Sequence, residues 1–337
     1  MRTGEAFRQT DYIIAEDRMK KYYTTNLKDG ETFDDFFMIK SLYIKAGTTG
    51  KQYLDMILSD ATGEVVAKKW DLDEAEIATY EKTVPGCIVK VRAQVTDWRG
   101  QRQLRVTKMR FAQAGDGVDN NDFFKAAPED PQEMYDFIVG KIQGFTDPDL
   151  RNLCMALYEE NKDKLMYYPA AMSNHHAEYA GLLYHVKRMM MLGERACEVY
   201  TNLSRDLLLA GVAIHDIEKL TEILSDEHGV SPGYSFEGQM LGHLVQGVKV
   251  VHDKCRELGI GYEKEILLEH MVISHHYEPD FGSPKKPLFP EAEVLHYLDM
   301  IDAKMFDMED SLAGVEPGGF GDKVWTLDNR KLYKKTF

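Results

Sequence analysis

The sequence predicts two domains of different class within 337 residues, an all-β barrel followed by an all-α domain. Segment 31–112 alternates apolar and polar residues, as strands with one buried face do. Segment 113–130 (QAGDGVDNNDFFKAAPED) has the Gly, Asn, Asp and Pro content of a linker. From 131 to 310 the apolar residues follow a helical period. We therefore predict an N-terminal arm over 1–30, a linker between the two domains, and a C-terminal tail over 311–337.

The first domain is predicted to contain three strands, a short acidic helix and a final hairpin. The strands are FFMIKSLYIKA (36–46), QYLDMILSD (52–60), EVVAKKW (64–70), GCIVKVRAQVTDW (86–98) and QRQLRVTKMRFA (101–112), and the helix is DLDEAEIATY (71–80). This order is that of an OB-fold, a small Greek-key barrel that binds oligonucleotides across one face. A generic β-barrel used for assembly is the alternative.

The distribution of charge favours a nucleic-acid surface on the barrel. The whole chain carries a net charge of −15, but segment 31–112 has thirteen Lys and Arg against twelve Asp and Glu. Single-strand binders combine a basic groove with aromatic rings on which bases stack. Phe37 and Trp70 are predicted to be core residues instead. The barrel residues predicted to bind nucleic acid are Tyr53, Arg92, Trp98, Arg99, Arg102 and Arg105.

Cysteine usage and hydropathy exclude several classes of protein. The four cysteines form no C-x-x-C pair, which argues against a zinc ribbon or redox motif and is typical of a reducing cytoplasm. No apolar run reaches the roughly 18 residues of a membrane span. The first residues, MRTGEAFRQTDYIIAEDRMKKYY, lack the apolar region of a signal peptide. A cytoplasmic location is therefore expected.

The second domain is predicted to be helical throughout. The candidate helices are 131–144, 147–160, 177–200, 204–215, 237–258, 262–276 and 290–308. All eleven histidines of the chain lie between His175 and His296, and most of them fall within or beside these helices. An unpaired imidazole on an apolar helix is costly to bury, so their recurrence favours one shared metal centre.

The pair His215-Asp216 lies at the end of the apolar segment LLLAGVAIHD and is the predicted focus of this centre. His185 and Asp299, from two other helices, would complete four ligands to one ion. His243 and the pair His275-His276 would hold a second ion, with Asp216 as the bridge. Two such ions can activate water and stabilise the oxygens of a phosphoryl displacement. Mixed His and Asp sites accept Mn, Fe, Co, Ni or Zn; we expect Mn first, with Mg as a further alternative.

The series H…HD…H…HH…D resembles the HD superfamily of metal-dependent phosphohydrolases and, more narrowly, the YhaM-type bacterial 3′-5′ exoribonucleases. The matching stretches are NHHAEYAGLLYH (174–185), HDIEK (215–219), YSFEGQMLGHL (234–244), HMVISHH (270–276), FGSPKKP (281–287), EAEVLHYLDMIDAKM (291–305) and the tail GGFGDKVW. The resemblance extends from about residue 27 to the C-terminus. It implies an OB-fold joined to an HD domain that hydrolyses single-stranded RNA, or alternatively single-stranded DNA, to nucleoside 5′-monophosphates.

The resemblance also implies roles for individual residues. Lys219 would contact the scissile phosphate, and Asp302 would orient a ligand from behind or pack against Lys304. His176 and His270 would protonate the leaving oxygen or hold the substrate. The family further suggests that the chain forms a homo-oligomer.

The sequence departs from the family in two places. Glu218 replaces the usual glycine before Lys219, and Tyr277 replaces the usual glycine after the double histidine. Tyr277 either stacks on a terminal base or covers the site. Lys285 and Lys286, in the polar loop YEPDFGSPKKPLFP, would contact phosphates, although a solvated loop explains them equally well.

Two other functions remain open from the sequence alone. An HD-domain phosphohydrolase of nucleotides or cyclic dinucleotides would use the barrel as a regulatory or assembly module. An RNA-binding protein with a degenerate HD domain would have lost ligands, and the set here is complete.

Overall fold

The structure is a computed structural model that describes residues 20–47, 50–83, 85–98, 101–119, 122–172, 176–227, 229 and 231–337, without the side chains of Trp98 and Ala114. The chain divides into two compact units, 1–123 and 124–337. No described helix is long and apolar enough to cross a membrane. Each unit is built around its own apolar core.

The first unit is a closed five-stranded barrel. Its elements are β1 (Thr32–Ala46), β2 (Gln52–Asp60), β3 (Gly63–Lys69), α1 (Glu74–Tyr80), β4 (Ile88–Trp98) and β5 (Gln101–Phe111). The strand order is β1-β2-β3-β5-β4, with β4 closing on β1. β3 and β5 run parallel, and the other neighbours are antiparallel. This topology confirms the predicted OB-fold.

Alternation along the strands explains why the barrel closes around an apolar interior. Phe37, Ile39, Leu54 and Leu104 are fully buried, and the neighbours of Ile39, Leu54 and Leu104 in sequence are at least partly exposed. The prediction that Phe37 belongs to the core is confirmed, but Trp70 is 44% exposed, so the core prediction for that residue is wrong.

The described end of the N-terminal arm packs against the barrel. The ammonium of Lys20 donates to the carbonyl of Phe36 at 2.5 Å, and Leu27 is 2% exposed. Residues 1–19, the rest of the predicted arm, lie outside the described residues.

Over its described residues, the second unit is helical and has two small strand pairs. Its helices are α2 (Pro131–Gln143), α3 (Pro148–Glu160), α4 (Lys162–Leu165), α5 (Gly181–Val199), α6 (Arg205–Ile214), α7 (Lys219–Glu222), α8 (Phe236–Leu258), α9 (Tyr262–Ser274) and α10 (Pro290–Leu312). The strands are β6 (Ile223–Leu224), β7 (Gly233–Tyr234), β8 (Phe320–Val324) and β9 (Arg330–Tyr333). The pair β8-β9 gives the predicted tail a hairpin that contacts α10.

Helix α6 is the central element of this unit. Residues 208–214 are all buried, as expected for a helix that is apolar on every side. Ser204 caps its first turn by accepting from the Leu207 N–H at 3.4 Å. A side chain at Gly211 would overlap Met271 of α9, so this glycine permits close packing of the two helices. The end of α6 is therefore held deep in the unit, and the next residues are His215 and Asp216.

Candidate metal centre

The carboxylate of Asp216 lies between two groups of histidines. Its Oδ2 atom is 3.3 Å from Nε2 of His215 and 3.8 Å from Nε2 of His185 on α5. Its Oδ1 atom is 3.4 Å from Nε2 of His243 on α8 and 3.6 Å from Nε2 of His275, at the end of α9. Asp216 is only 2% exposed. One carboxylate thus faces two imidazole pairs through two different oxygens.

Asp299 and His276 extend the two groups. Asp299, on α10, places Oδ1 at 3.4 Å from Nε2 of His185. His276 offers a ring nitrogen within 4.8 Å of those of His243 and His275 and of an Asp216 oxygen. The structure therefore brings together all seven residues that the sequence predicted as metal ligands.

The Nδ1 atoms of these histidines have hydrogen-bond partners that orient the rings. His215 and His275 donate from Nδ1 to the carbonyls of Val212 and Val272, at 2.9 and 2.8 Å. His276 donates to the carbonyl of Phe281 at 2.7 Å. A carbonyl only accepts, so Nδ1 must carry the proton, and in the neutral ring Nε2 presents its lone pair.

His185 and His243 are oriented by carboxylates. Nδ1 of His185 donates to Asp302 at 2.7 Å, and Nδ1 of His243 donates to Glu222 at 2.9 Å. Asp302 is fully buried and is held in turn by Arg188 at 2.6 Å. Carboxylates behind metal-binding histidines fix the tautomer and raise the basicity of the ligand. The contacts of Asp302 therefore fit its predicted role of orienting a ligand, here His185.

The donor set fits a divalent cation. The buried Nε2 atoms of His215, His243 and His275 and Oδ1 of Asp216 have no hydrogen-bond partner among the described residues. Buried polar atoms are almost always paired, because leaving one unpaired costs about 1–3 kcal/mol. Several unpaired nitrogen and oxygen atoms around one carboxylate are best satisfied by a cation that takes both as ligands.

Burial and neighbouring charge set the protonation of the centre. Burial lowers the pKa of His275 to about 4 and also lowers that of His243. Burial acts in the same sense on His215, but the neighbouring Asp216 outweighs it and raises the His215 pKa. Burial opposes ionisation of Asp299, yet His185 and the other imidazoles lower its pKa to about 2. The carboxylates are therefore ionised, and most of the imidazoles are neutral, near neutral pH.

The low pKa of His275 predicts an acid-sensitive metal-free protein. The His275 ring has a pKa of 6.5 in the unfolded chain and about 4 in the folded protein. The unfolded chain therefore binds a proton at this ring more tightly. The contribution to stability is therefore full above pH 6.5 and is lost as the pH falls towards 4, amounting to about 3 kcal/mol. Urea unfolding in EDTA at about pH 7 and about pH 4.5 measures it. In His275→Asn, the decrease in the free energy of unfolding between these two pH values should be smaller by that amount. His252→Asn, at a half-exposed ring, is the control and should behave like wild type. Equal decreases in wild type and His275→Asn would contradict the prediction.

Lys219 lies beside the bridging carboxylate. Its ammonium is 2.5 Å from Oδ2 of Asp216, and the residue is 8% exposed. Burial lowers the pKa of this ammonium, but Asp216 outweighs burial and raises it. Lys219 is consequently a protonated cation at the centre. Glu218, the residue before it, is half-buried and directly precedes α7.

His176 and His270, predicted to protonate the leaving oxygen or to hold the substrate, differ in burial and in their partners. His176 is fully buried behind His185, with Nε2 at 2.8 Å from Asp302 and its ring against Phe306. These contacts place His176 against Asp302, the carboxylate behind His185. His270 accepts the N–H of Leu288 at 3.0 Å and so anchors the following loop.

The loop after His276 carries an aromatic and basic cluster. Tyr277 has the left-handed φ of 67°, a strained value for a residue with a side chain. Its ring packs on His296, which donates from Nδ1 to the carbonyl of His275 at 2.7 Å. The ammonium of Lys286 lies 4.4 Å from the centre of the Tyr277 ring. Lys285 is exposed.

The barrel residues predicted to bind nucleic acid do not share one environment. Tyr53 stacks on the exposed Trp70, with ring centres 4.2 Å apart. Arg105, exposed, pairs in register with Lys68 of the neighbouring strand. Tyr43, on β1, is 62% exposed. We call the set Tyr43, Tyr53, Lys68, Trp70 and Arg105 the barrel patch.

The other predicted barrel residues lie elsewhere. Arg92 makes a two-pronged ion pair with Asp34, and Arg102 donates to the carbonyl of Thr24 at 3.0 Å. These partners occupy their guanidinium groups. The side chain of Trp98 and the whole of Arg99 lie outside what the structure describes.

Comparison with known proteins defines the class of the helical unit first. Residues 182–304 match the HD domain family, so this unit is an HD domain, a class whose members depend on divalent metal ions. The match spans His185, Asp216 and Asp299.

Whole-chain relatives then define the family. The chain is 38% identical over 308 residues to the 3′-5′ exoribonuclease YhaM of Geobacillus sp. (strain WCH70), covering 91% of this chain and 93% of that protein. It is equally similar to the 3′-5′ exoribonuclease YhaM of Bacillus subtilis (strain 168), covering 91% and 96%. The chain belongs to the YhaM family of 3′-5′ exoribonucleases.

Among solved structures, a similar one is the second OB-fold domain of replication protein A from Methanococcus maripaludis. The match covers 28% of this chain and 96% of that domain. The TM-score is 0.23 and the sequence identity is 17%. The OB-fold assignment rests on the strand order of the barrel rather than on this likeness.

Proposed function

We propose that this protein hydrolyses single-stranded RNA from its 3′ end and releases nucleoside 5′-monophosphates. The observation that carries the proposal is Asp216, whose two oxygens face two separate groups of imidazoles. Membership of the YhaM family supports the 3′-5′ direction and RNA as the substrate.

The residues that would hold two divalent ions follow from the geometry. His185, His215 and Asp299, with Oδ2 of Asp216, would hold one ion. His243 and His275, with Oδ1 of Asp216 and His276 beside them, would hold the other. Two such ions supply Lewis-acid stabilisation of the scissile phosphate and activate water. The mixed nitrogen and oxygen set favours Mn²⁺ or another transition metal over Mg²⁺.

Lys219 is the protein cation suited to the scissile phosphate. Its ammonium pairs with Asp216 at 2.5 Å, so it can exchange this partner for a phosphate oxygen when ions neutralise the carboxylate. In the reaction, water adds to phosphorus and the bond from phosphorus to the 3′ oxygen of the preceding nucleotide breaks. That oxygen takes a proton and becomes the new 3′ end.

The barrel patch is the surface suited to the strand. The Tyr53–Trp70 stack presents aromatic faces, and Lys68 and Arg105 supply positive charge beside it. Single-strand binders gain affinity from such a combination without reading sequence. Lys285 and Lys286, in the loop after the second group of histidines, are further candidates for phosphate contacts.

The cysteines support a cytoplasmic site of action. Cys87, Cys154, Cys197 and Cys255 are all free thiols, as is usual in a reducing compartment.

The proposal is tested with single-stranded RNA labelled at its 5′ end, incubated with the metal-free protein and added Mn²⁺. We expect a ladder of progressively shorter labelled products and nucleoside 5′-monophosphates in the chromatogram. A small diester such as bis(p-nitrophenyl) phosphate serves for comparison. Hydrolysis of cyclic dinucleotides and the small diester, with RNA left intact, would favour the small-molecule phosphohydrolase instead.

A further inference from the structure

Helix α8 is interrupted at Gly242, directly before His243. Gly242 has φ 68° and ψ 163°, a backbone conformation that is almost restricted to glycine. The helix resumes at His243. A new helical start leaves its first N–H groups without a carbonyl partner in the helix, so they need an acceptor from elsewhere.

Glu222, the last residue of α7, supplies that acceptor. Its Oε1 accepts the backbone N–H of His243 at 3.0 Å, and its Oε2 accepts Nδ1–H of the same residue at 2.9 Å. One carboxylate therefore caps the second half of the helix and holds the imidazole. The side chain of Glu222 is 14% exposed, so water competes little for these bonds.

The position of Glu222 is fixed by close approach of the two helices. The Ser235 N–H donates to the carbonyl of Glu222 at 2.9 Å. A Cβ atom at Gly238 would lie 2.3 Å from that same carbonyl oxygen, so only glycine fits there. The backbone that carries the carboxylate is thereby held against the start of α8.

We propose that Glu222 is the positioning residue for the ion on the Oδ1 side of Asp216. Glu222 holds the proton on Nδ1 of His243. The Nε2 atom therefore keeps its lone pair free for an ion beside Oδ1 of Asp216, which lies 3.4 Å away. This inference rests on the proposed function in taking His243 as a metal ligand. Glu222 lies seven residues after His215. Among the described residues, the hydrogen bonds of its carboxylate go to His243 and to no other ligand.

The substitution Glu222→Gln separates this role from bulk and packing. Both groups of His243 that face Glu222 are donors, whereas an amide offers one acceptor and one donor group. Glutamine keeps the size of the side chain but satisfies only one of the two donors. If the amide oxygen caps the helix, its NH₂ faces Nδ1 and moves the imidazole proton to Nε2, which removes the ligand lone pair.

The test compares the full-length wild type with Glu222→Gln. Glu237→Gln, at an exposed position in the first turn of α8, is the matched control. Titration with Mn²⁺, followed by calorimetry and by electron paramagnetic resonance, gives the affinity for each ion. We expect one of the two ions to lose 10- to 100-fold in affinity in Glu222→Gln alone, the range typical when the partner of a ligand is removed.

A second readout is the ¹⁵N spectrum of the histidine rings in the metal-free protein, with the His243 signals assigned from His243→Ala. We expect a shift from the Nδ1–H to the Nε2–H form in Glu222→Gln. An unchanged tautomer together with unchanged Mn²⁺ affinities would overturn the proposal, as would a lower unfolding temperature with both ions bound as in wild type. Neither readout uses RNA, so failure of the proposed activity would be recognised separately.

Discussion

Asp216→Asn is expected to abolish RNA hydrolysis, with a loss in kcat greater than about 100-fold. Removing a residue that only supports a ligand typically costs 10- to 100-fold, and Asp216 faces both groups of imidazoles directly. Asparagine has nearly the same shape but supplies no negative charge and only one oxygen. The shortening of 5′-labelled RNA in Mn²⁺ measures activity, and elemental analysis of the purified protein measures bound metal.

Asp253→Asn, on the exposed side of α8, is the matched control and should retain both activity and metal. Metal content in Asp216→Asn should fall with activity. A variant that keeps its ions and cleaves RNA within a few-fold of wild type would show that Asp216 does not bridge the centre.

Tyr53→Ala/Trp70→Ala is expected to raise the KM for a long single-stranded RNA by at least about 10-fold, with kcat nearly unchanged. Each stacked base contributes about 1–3 kcal/mol by alanine substitution, and Tyr53 and Trp70 are the two stacked rings of the barrel patch. Steady-state rates on single-stranded RNA against its concentration give both constants.

Two comparisons identify a loss as loss of RNA binding. Hydrolysis of bis(p-nitrophenyl) phosphate should be unaffected, because a small diester needs only the metal centre. Tyr262→Ala, which removes a 71% exposed ring from the helical unit, should leave the KM for RNA unchanged. An unaltered KM in the double variant would assign RNA binding to another surface.

The elements that could be predicted were those set by local pattern. The five strands followed from alternation along the chain, and α6 followed from an apolar run ending in His215-Asp216. The candidate ligands were found because imidazoles recur in apolar helices, where only a shared partner compensates for their burial. Their grouping around Asp216 then required only that these helices pack together.

The features that were missed depend on contacts distant in sequence or on backbone geometry. Glu222 is one acidic residue among many until the break at Gly242 turns His243 towards it. Trp70 was predicted to be a core residue, but it lies just beyond β3, where it stacks on Tyr53 and stays 44% exposed. The contact between Glu222 on α7 and His243 on α8 follows no fixed spacing that a sequence pattern could reveal.

The roles predicted for His176 and His270 also depend on contacts that the sequence does not contain. Both occur in the motifs that carry the ligands, so the sequence places them near the centre. Burial and hydrogen bonding decide what they touch, and these assign His176 to Asp302 and His270 to the Leu288 backbone.

The central claim, hydrolysis of single-stranded RNA from a 3′ end, is tested most directly on linear and covalently closed RNA of one sequence in the same reaction. We expect the linear strand to be shortened to nucleoside 5′-monophosphates in the presence of Mn²⁺ while the circle stays intact. Cleavage of the circle at a comparable rate, or no loss of the linear strand, would contradict the account.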